Sequence, residues 1–431
     1  HGQPLNAAGA STEATIRALG GNSENPFEIF EDVQQAFETR KNELRLLVKK
    51  WKEEKTEWDK NNQEMAKTLS SWLSGKAPVV NLSSLPVKEG VATRVTSGSV
   101  LAHLAENVKN CICSSADLSN SDNTQAFLDK TGIFRPGDFS GAFVQVGVAE
   151  LTMGAICCGI ALHGGLYPIC ATFFVFSDFM KPVLRMAALM GLPVKFVYTH
   201  DSFRVGEDGP THQPIEHETQ IRLLEGLKKV SGQSEMLVLR PADAYETVAA
   251  WEMAFENDNS PTVLILTRQV VKTLPYQGIA YETAAMCRKG AYILSDNTSA
   301  NARPDLTFVA NGSDVLLTHD AAEILRAEGL QVRVVSMISP ALFLSQPEEY
   351  RKNVLVPWTP VYAQSSGLPL LFEKVVGGFG KTVGLERFGA SAPAGILEKE
   401  FGYTPEAVAA AAKQYLQEFK ANVEEFLKHY K

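Results

Sequence analysis

The chain has 431 residues, enough for two or three domains, and its 45% apolar and 21% charged residues exclude a disordered chain. A formal net charge of −8 argues against nucleic-acid binding and fits a soluble cytoplasmic protein. The six cysteines form no Cys-x-x-Cys pair, so we expect reduced, mostly structural thiols.

The first 85 residues differ in composition from the rest of the chain. Residues Glu31 to Asn61 are dense in Lys and Glu, and their apolar side chains keep helical spacing, which predicts one long amphipathic helix. The apolar seam is irregular and lasts too few heptads for a coiled coil, so we expect this helix to pack against a domain. The first residues carry no charged leader before an apolar core, so we expect no secretory signal.

From about Pro86 apolar strands alternate with helices, a pattern that is typical of βαβ units and a parallel sheet. Asp243 and Glu246 have the spacing of a capping box, which predicts the start of a helix. The clearest predicted strands are Lys195 to Thr199, Met236 to Leu239 and Val263 to Thr267.

The run from Leu151 to Ser177 contains no Asp, Glu, Lys or Arg and is longer than a membrane-spanning helix needs to be. Gly164, Gly165 and Pro168 divide this run, so we interpret it as a helix followed by a strand inside an α/β layer. We therefore expect no membrane partner.

A second α/β unit begins near Arg288, after a linker over residues 271–283. Its predicted strands are Leu306 to Ala310, Val332 to Ser336 and Thr382 to Leu385, and its predicted helices are Asp314 to Ala327 and Pro405 to the carboxyl terminus. Together these patterns predict an α/β fold with two sheet-containing domains, preceded by a helical segment.

A polar loop follows directly on the predicted strand Lys195 to Thr199. Because ligands of open α/β sheets gather at the carboxyl ends of strands, this loop lies where a binding site would be built. The alternative is a solvated connection whose histidines only cap neighbouring elements. The ionisable residues of the loop are His200, Asp201, Glu207, Asp208 and His212.

Glu150 is a further candidate, because it begins the uncharged run, where an ionised carboxylate is costly without a partner. The alternative is an exposed acid in the first turn of a helix, which the helix dipole favours.

An aromatic cluster and two arginines complete the candidates. Phe173, Phe176 and Phe179 lie close together in the sequence, a pattern for which a core position is the default. Arg94 and Arg268 each lie near the end of an apolar or turn-bounded segment, where an arginine is also common at an ordinary surface.

Several segments, in the same order along the chain, resemble motifs of the transketolases. The loop reads His200-Asp-Ser and then Gly206-Glu-Asp-Gly-Pro-Thr-His-Gln-Pro214, which closely resembles the transketolase substrate loop. The resemblance implies a thiamine diphosphate-binding fold of two parallel-sheet domains, the second of them mixed, preceded by a helical linker. It also implies transfer of a two-carbon ketol unit between sugar phosphates in the pentose phosphate pathway. Further similar segments are Ser114-Ser-Ala-Asp-Leu-Ser-Asn-Ser121, Gly147-Val-Ala-Glu-Leu-Thr-Met-Gly-Ala155 and Thr172-Phe-Phe-Val-Phe-Ser-Asp-Phe179.

The resemblance implies a cofactor role for five residues. Glu150 would hydrogen-bond N1′ of the aminopyrimidine ring of thiamine diphosphate. Phe173, Phe176 and Phe179 would line the pocket for that ring, and Asp117 would lie near the cofactor.

For the substrate, the resemblance implies that Arg94, Arg268 and Ser121 contact the phosphate of a sugar phosphate, a task that suits the guanidinium group. His200 and His212 would contact the carbonyl and hydroxyl groups of the donor, as imidazoles that can donate or accept protons. The remaining implied substrate contact is Asp208, at the sugar hydroxyl that sets stereochemical preference, and the implied catalytic residues are Glu150, His200 and His212.

The chain departs from the family pattern at several positions. Most relatives carry Arg where Ala149 stands and His or Phe where Leu151 stands, and both positions flank Glu150. Phe179 replaces a tyrosine and so removes one hydroxyl group. The other departures are Ser114, Ser119 and Asn120.

The Gly-Asp-Gly motif with a following Asn, which binds Mg²⁺ and diphosphate in transketolases, does not occur in the sequence. We therefore expect the chain to lack the amino-terminal diphosphate-binding domain, to contain no metal ligand, and to supply only the aminopyrimidine and substrate half of the site. Mg²⁺ or Ca²⁺ would be held by that missing domain, which would be a partner. The expected domains are a helical linker over residues 1–85, a pyrimidine-binding domain over 86–272 and a transketolase-like carboxyl-terminal domain over 285–431.

Transketolase sites form between subunits, so the resemblance implies a homodimer or a hetero-assembly. Two alternative functions stay open. The first is the β component of another thiamine diphosphate enzyme, against which Arg94, Arg268 and the loop over 206–214 argue. The second is a non-catalytic pseudo-subunit of a transketolase-like assembly, which Ala149 and Leu151 motivate.

Overall fold

Short apolar strands and longer helices alternate along most of the chain. The computed structural model describes residues 2–75, 78–300 and 302–429. The chain forms two compact units, with the boundary between Ser71 and Trp72, and both sheets belong to the second unit.

The strands are β1 (Cys111–Ser115), β2 (Phe143–Gln145), β3 (Tyr167–Phe173), β4 (Lys195–Thr199), β5 (Leu237–Leu239), β6 (Thr262–Leu266), β7 (Tyr292–Asp296), β8 (Leu306–Ala310), β9 (Val332–Ser336), β10 (Val361–Gln364) and β11 (Lys381–Val383). The helices are α1 (Thr12–Ala18), α2 (Glu31–Asn61), α3 (Gln63–Trp72), α4 (Thr93–Asn107), α5 (Ser119–Asp122), α6 (Gln125–Thr131), α7 (Glu150–His163), α8 (Ser177–Leu189), α9 (His217–Glu225), α10 (Ala244–Glu256), α11 (Ala280–Ala284), α12 (Asp314–Ala327), α13 (Pro340–Leu344), α14 (Glu348–Val354), α15 (Glu373–Val376), α16 (Ala394–Glu400) and α17 (Pro405–His429). Short 3₁₀ helices cover Leu5–Ala8, Phe174–Phe176, Phe203–Val205, Ala285–Lys289 and Pro369–Phe372.

The first sheet has six strands in the order β2-β1-β3-β4-β6-β5, and every neighbouring pair is parallel, as predicted. Alternate residues of β4 belong to two different apolar cores, Val197 to one and Phe196 and Tyr198 to the other. Both faces of the sheet are therefore covered, which explains why its strands are apolar on successive residues. Because the strands are parallel, the end of β3 at Phe173 and the end of β4 at Thr199 lie side by side at one edge.

The second sheet has five strands in the order β11-β10-β8-β9-β7. Strand β7 runs antiparallel to β9, with an irregular register between Ile293 and Ser295, and the other neighbouring pairs are parallel. This confirms the predicted mixed sheet. Strands β8 and β9 and helix α12 have the predicted bounds.

The uncharged run divides as the sequence predicts. It folds into α7 and β3, which are separated at Gly164 and Gly165, where φ is positive. Gly154 explains part of the close packing of α7, because a Cβ there would press against Val183 and Met180. Within residues 2–75, 78–300 and 302–429, no helix is both long enough and apolar enough to cross a bilayer.

The first compact unit contains the long helix α2 with the predicted bounds. Its surface carries ion pairs at helical spacing, including Lys41 with Glu38 and Lys55 with Asp59. None of its residues is buried, so the packing of its apolar seam on a domain stays a prediction.

The buried carboxyl group of Glu246, on α10, binds to two strands of the second sheet. Asp243 caps α10 by accepting a hydrogen bond from the backbone N–H of Glu246 at 3.0 Å, which confirms the predicted capping pair. Glu246 Oε2 accepts from the backbone N–H of Ala242, and Oε1 accepts from Ser336 Oγ at 2.6 Å and from Tyr292 Oη at 2.9 Å. Burial, and secondarily the charge of Asp243, raises the pKa of Glu246 to about 7.

We expect Glu246→Gln to gain stability relative to the wild type as the pH rises from 5 to 8. A folded-state pKa of about 7 lies above the usual 4.5, so the wild type loses its protonated-carboxyl contribution as the pH rises through 7, whereas an amide does not titrate. Between the two pKa values, the free energy of unfolding of the variant relative to the wild type changes by at most about 1.4 kcal/mol per pH unit. Urea denaturation at both pH values measures it, with Glu256→Gln, an exposed carboxylate of α10, as the control. A difference that does not vary with pH would contradict this role.

Candidate active site

The site is built on the carboxyl edge of the first sheet, where β4 ends and His200 begins the polar loop. His200 has φ of 65°, a left-handed conformation that is uncommon for residues other than glycine. Its ring is buried and stacks on Phe173 with 3.6 Å between ring centroids. Thr199 Oγ1 lies 2.9 Å from His200 Nδ1, within hydrogen-bond distance. The sheet, the ring stack and this hydrogen bond together fix the imidazole.

His200 is an uncharged imidazole at physiological pH. Burial lowers its pKa to about 3, and the positive charges of Arg94 and Arg268, with His212, add to this effect. A neutral ring can donate a hydrogen bond from one nitrogen and accept at the other, which suits contact with carbonyl and hydroxyl groups.

Aromatic rings surround the two histidines. The centroid of Phe176 lies 5.7 Å from that of Phe173 and 5.6 Å from that of His212, and Phe179 lies 6.2 Å from Phe176. Phe173 and His212 are 6.3 Å apart. The structure therefore brings together five of the predicted site residues as one aromatic cluster, which we call the ring cluster: Phe173, Phe176, Phe179, His200 and His212.

The ring cluster is not an ordinary core. Phe179 is 60% exposed, and Phe176 and His212 are half-buried. Phe174, which follows Phe173, lies instead in the apolar core with Tyr198. The chain thus leaves a partly open apolar face beside two imidazoles, which is the character of a ligand pocket.

Arg94 and Arg268 form a positively charged position near His200. Arg94 Nη1 donates a short hydrogen bond to the backbone carbonyl of Ser121, and its buried Nε has no partner within the described residues. Burial lowers the pKa of Arg94, Arg268 lowers it further by repulsion, and Asp122 opposes both effects. Neither arginine forms an ion pair among the residues that the structure describes. Two adjacent guanidinium groups without a carboxylate partner are suited to binding an anion.

Asp122 is a residue of this region that the sequence did not single out. Its Oδ1 accepts from the backbone N–H and the hydroxyl of Thr124, and its Oδ2 accepts from Ser115 Oγ at 2.5 Å. Burial raises its pKa to about 6, although these hydrogen bonds oppose the shift. Asp122 therefore fixes the turn that presents the Ser121 carbonyl to Arg94. Its spacing of two residues from Thr124 is the only local signal for this role.

Glu150 is the first residue of α7 and is 7% exposed, so it is not the exposed first-turn acid of the alternative interpretation. Among the described residues no hydrogen bond or ion pair engages its carboxyl group. A buried carboxyl group without a protein partner is available for a ligand.

Three predicted site residues make no side-chain hydrogen bond to these groups within the described residues. Asp117 and Asp208 are exposed, and Asp117 has a left-handed φ of 63°. Ser121 contributes its backbone carbonyl to Arg94, whereas its hydroxyl has no hydrogen bond within the described residues. The structure shows no hydrogen bond or ring contact that joins Asp117, Asp208 or Glu150 to the ring cluster among the described residues.

The second sheet's domain holds the polar loop in place. Gln213 Nε2 donates to the carbonyl of Gly206 at 2.8 Å and to the carbonyl of Ala390 at 2.9 Å. Gly389 permits this approach, because a Cβ there would collide with Gln213 Oε1. Arg204, in the same loop, is buried and pairs with Asp314 at 3.0 Å. The loop that carries His200 and His212 is thus shaped by both domains.

A row of buried charges continues from the loop into the protein. Arg240 pairs with Asp201 at 2.7 Å and with Glu218 at 2.8 Å, and Arg222 pairs with Glu218 at 2.9 Å and with Glu225 at 2.8 Å. Burial opposes ionisation of Glu218, but the two guanidinium groups prevail and lower its pKa. We call these five residues, Asp201, Arg240, Glu218, Arg222 and Glu225, the charge network. Glu218, Arg222 and Glu225 are neighbours on α9, but the sequence did not reveal their link to Asp201, because it passes through Arg240, which is 39 positions from Asp201.

Residues 89–273 match the family described as "Transketolase, pyrimidine binding domain", and residues 290–404 match "Transketolase-like TK C-terminal domain". Residues 1–78 match "Transketolase, thiamine diphosphate binding domain". The two sheets therefore define a protein of the class built from a pyrimidine-binding domain and a transketolase-like carboxyl-terminal domain.

Individual relatives agree with these matches. A transketolase of Geobacillus stearothermophilus is 41% identical over 422 residues, which cover 96% of this chain and 60% of that protein. A chloroplastic transketolase of Craterostigma plantagineum is 40% identical over 96% of this chain and 78% of that protein. The solved structure of transketolase from Leishmania mexicana superposes with a TM-score of 0.82 at 32% identity, over 94% of this chain and 58% of that one. The chain belongs to the transketolase family, and it spans about 60% of the length of the Geobacillus relative.

The expectation that the chain lacks the diphosphate-binding domain is wrong, because residues 1–78 match that domain. The expectation depended on one absent motif, and that motif marks only the residues that contact metal and diphosphate. The described part of the matched segment contains helices α1 to α3, and these helices need not carry the motif. The inference of a half-site completed by a separate chain is therefore unsupported, and the helical linker over residues 1–85 is not confirmed.

Within the described residues, no group of three or more His, Cys, Asp or Glu side chains is placed to hold a metal ion.

We expect His200→Asn to gain stability relative to the wild type as the pH falls from 7 to 4.5. A folded-state pKa of about 3 lies below the usual 6.5, so protonation favours the unfolded wild type, and stability that is present above pH 6.5 is lost as the pH falls. Asn tolerates the left-handed backbone and does not titrate. Denaturation curves at both pH values, with the exposed His163→Asn as the control, measure the difference. If His200→Asn and the wild type lose the same stability between pH 7 and 4.5, His200 is not held neutral by its site.

Proposed function

We propose that this chain takes part in thiamine diphosphate-dependent transfer of a two-carbon ketol unit between sugar phosphates. The observation that carries the proposal is the neutral His200 imidazole beside the guanidinium groups of Arg94 and Arg268, neither of which forms an ion pair within the described residues. A phosphorylated ketose has a dianionic end that suits the arginines and a carbonyl end that suits a neutral imidazole.

The residues present fit the aminopyrimidine end of thiamine diphosphate. Glu150 is buried and its carboxyl group has no partner among the described residues, and Phe173, Phe176 and Phe179 offer apolar ring faces. We propose that these four residues hold that ring, with Asp117 near the cofactor, and that Glu150 shares a proton with ring atom N1′. When bound, the cofactor supplies the electron sink that carbon–carbon bond cleavage requires.

The histidines of the ring cluster would handle the protons of the substrate. We propose that His200 and His212 contact the donor's carbonyl and hydroxyl groups and move a proton as the alkoxide develops. Phe173 stacks on His200 and excludes water from one side of the imidazole. This arrangement keeps His200 uncharged until it accepts a proton from the substrate.

Four further residues would contact the phosphate and a hydroxyl group of the substrate. We propose that Arg94, Arg268 and Ser121 bind the substrate phosphate and that Asp208 contacts a sugar hydroxyl. The hydroxyl group of Ser121 is free within the described residues, and the exposed carboxylate of Asp208 can accept from a hydroxyl group.

We also propose a divalent metal, Mg²⁺ or Ca²⁺, bound with the diphosphate, and a cytoplasmic homodimer. Helix α7 supports the dimer, because its exposed face is apolar and uncharged and includes Leu151, Ile156 and Leu162. A face of this kind is typical of an interface between subunits. It lies on the helix that begins at Glu150, so a partner subunit there would border the site.

We expect Glu150→Gln to lower ketol transfer by about 10² to 10⁴, because an amide cannot exchange a proton with N1′. The assay uses thiamine diphosphate, Mg²⁺ and a ketose phosphate donor, and calorimetric titration checks whether the variant still binds the cofactor. The matched control is Glu406→Gln, which alters an exposed acid in the first turn of α17. Wild-type activity in Glu150→Gln would contradict the proposed role. A wild type that binds the cofactor and transfers nothing would favour the non-catalytic pseudo-subunit.

We expect Arg94→Ala and Arg268→Ala to raise KM for phosphorylated ketoses far more than for unphosphorylated ones. Each change removes a charged hydrogen bond worth about 1.5 to 3 kcal/mol, or roughly ten- to hundredfold in KM. Steady-state kinetics with both donor types measures this, and Arg303→Ala, an exposed arginine of the second sheet's domain, is the control. If KM rises equally for phosphorylated and unphosphorylated donors, the arginines do not bind phosphate.

A further inference from the structure

We propose that Asp201 is a positioning residue, which fixes both the His200 imidazole and the segment that carries Arg268. The inference rests on the proposed function and adds a residue to it. Asp201 touches neither the aromatic rings nor the arginines of the site, so its effect passes through its neighbours.

The Asp201 carboxylate joins the ends of three adjacent strands. It directly follows His200 at the end of β4, and its Oδ2 accepts from Arg240 Nη2 at 2.7 Å and from Arg240 Nε at 3.2 Å, just beyond β5. Its Oδ1 accepts from Gln269 Nε2 at 3.4 Å, just beyond β6, and from Ser202 Oγ at 3.3 Å. The side chain is fully buried, and these are its hydrogen bonds within the described residues. One carboxylate thus sets the spacing of the strand ends that carry the site.

Asp201 holds the backbone turn at His200. A left-handed φ at a residue with a side chain is strained and persists only where the surroundings over-determine it. Thr199 and Phe173 hold the imidazole, but the backbone turn itself is held by the residue that follows, Asp201, through its ion pair with Arg240. Loss of that ion pair frees the turn, and the imidazole then leaves its stack.

Asp201 also binds the side chain of Gln269, which is adjacent to Arg268. The side chain of Arg268 is exposed and has no hydrogen bond or ion pair of its own within the described residues, so only its backbone places it. The adjacent Gln269 is anchored through its amide nitrogen to Asp201, while its buried Oε1 has no partner in the described part of the chain. Thr267 Oγ1 holds the backbone of this segment by donating to the Gln269 carbonyl at 2.9 Å, and Asp201 holds the Gln269 side chain.

The charge network provides a matched control, because Asp201 and Glu225 are its two ends. Glu225 is buried and pairs with Arg222, as Asp201 is buried and pairs with Arg240. Glu225 also accepts from Val238 N–H and Ser339 Oγ, and none of its partners is a neighbour of a predicted site residue. A carboxylate-to-amide change at either end has the same chemistry, and only one end adjoins the site.

The experiment compares Asp201→Asn with Glu225→Gln in the thiamine diphosphate-loaded enzyme, using phosphorylated and unphosphorylated ketose donors. We expect Asp201→Asn to lower kcat at least tenfold with both donors and to raise KM at least fivefold with the phosphorylated donor alone. We expect Glu225→Gln to change kcat and KM less than twofold, while both variants lower the melting temperature. Equal kinetic losses in the two variants would overturn the proposal, because they would reflect stability alone.

A second pair of variants decides the matter if Asp201→Asn does not fold. Gln269→Leu cuts only the link to Arg268, and Gln220→Leu makes the same change at a glutamine of α9 that also has a buried Oε1 without a partner. We expect Gln269→Leu to raise KM for the phosphorylated donor at least threefold with kcat unchanged, and Gln220→Leu to change neither. A Gln269→Leu enzyme with wild-type KM would overturn the anchoring role. A wild-type protein that transfers no ketol unit would overturn the proposed function, and this inference with it.

Discussion

The charge network is the interaction on which the arrangement of both domains depends. Burying a single ion is costly, and removing one member of a buried pair typically costs about 3 to 5 kcal/mol, so all members must be present together. Asn311 of the second sheet's domain donates to Glu218 at 2.7 Å, and Arg222 donates to the carbonyl of Ile338 at 3.2 Å. The network therefore tolerates one relative placement of the two domains. Arg204, paired with Asp314, extends the same constraint into the polar loop.

This rigidity explains the electrostatics of the site. His200 lies between the charge network, where the carboxylate of Asp201 is neutralised by Arg240, and the guanidinium groups of Arg94 and Arg268, which form no ion pair among the described residues. The resulting field is positive and disfavours an imidazolium ion, as the lowered pKa of His200 shows. The same field attracts an anion. One arrangement of charges thus gives the site a neutral imidazole and an affinity for phosphate.

Local patterns in the sequence predicted the elements that depend on local forces. The periodicity of residues 31–61 and 314–327, and the apolar runs that became β4, β8 and β9, located helices and strands correctly. The link between Asp201 and Arg240 escaped prediction because these ionic partners are 39 positions apart and follow different strands, β4 and β5. The expectation of a missing domain failed because the absent motif covers only a few residues that contact metal and diphosphate. Its absence says nothing about the helices of the matched segment.

The central claim is that the edge of the first sheet around His200, Arg94 and Arg268 receives a phosphorylated ketose. A crystal structure of the thiamine diphosphate-loaded protein with a ketose phosphate tests this claim most directly. We expect the phosphate within hydrogen-bond distance of both guanidinium groups and the sugar's carbonyl end beside the His200 imidazole. A phosphate bound elsewhere, with both arginines unengaged, would contradict the claim.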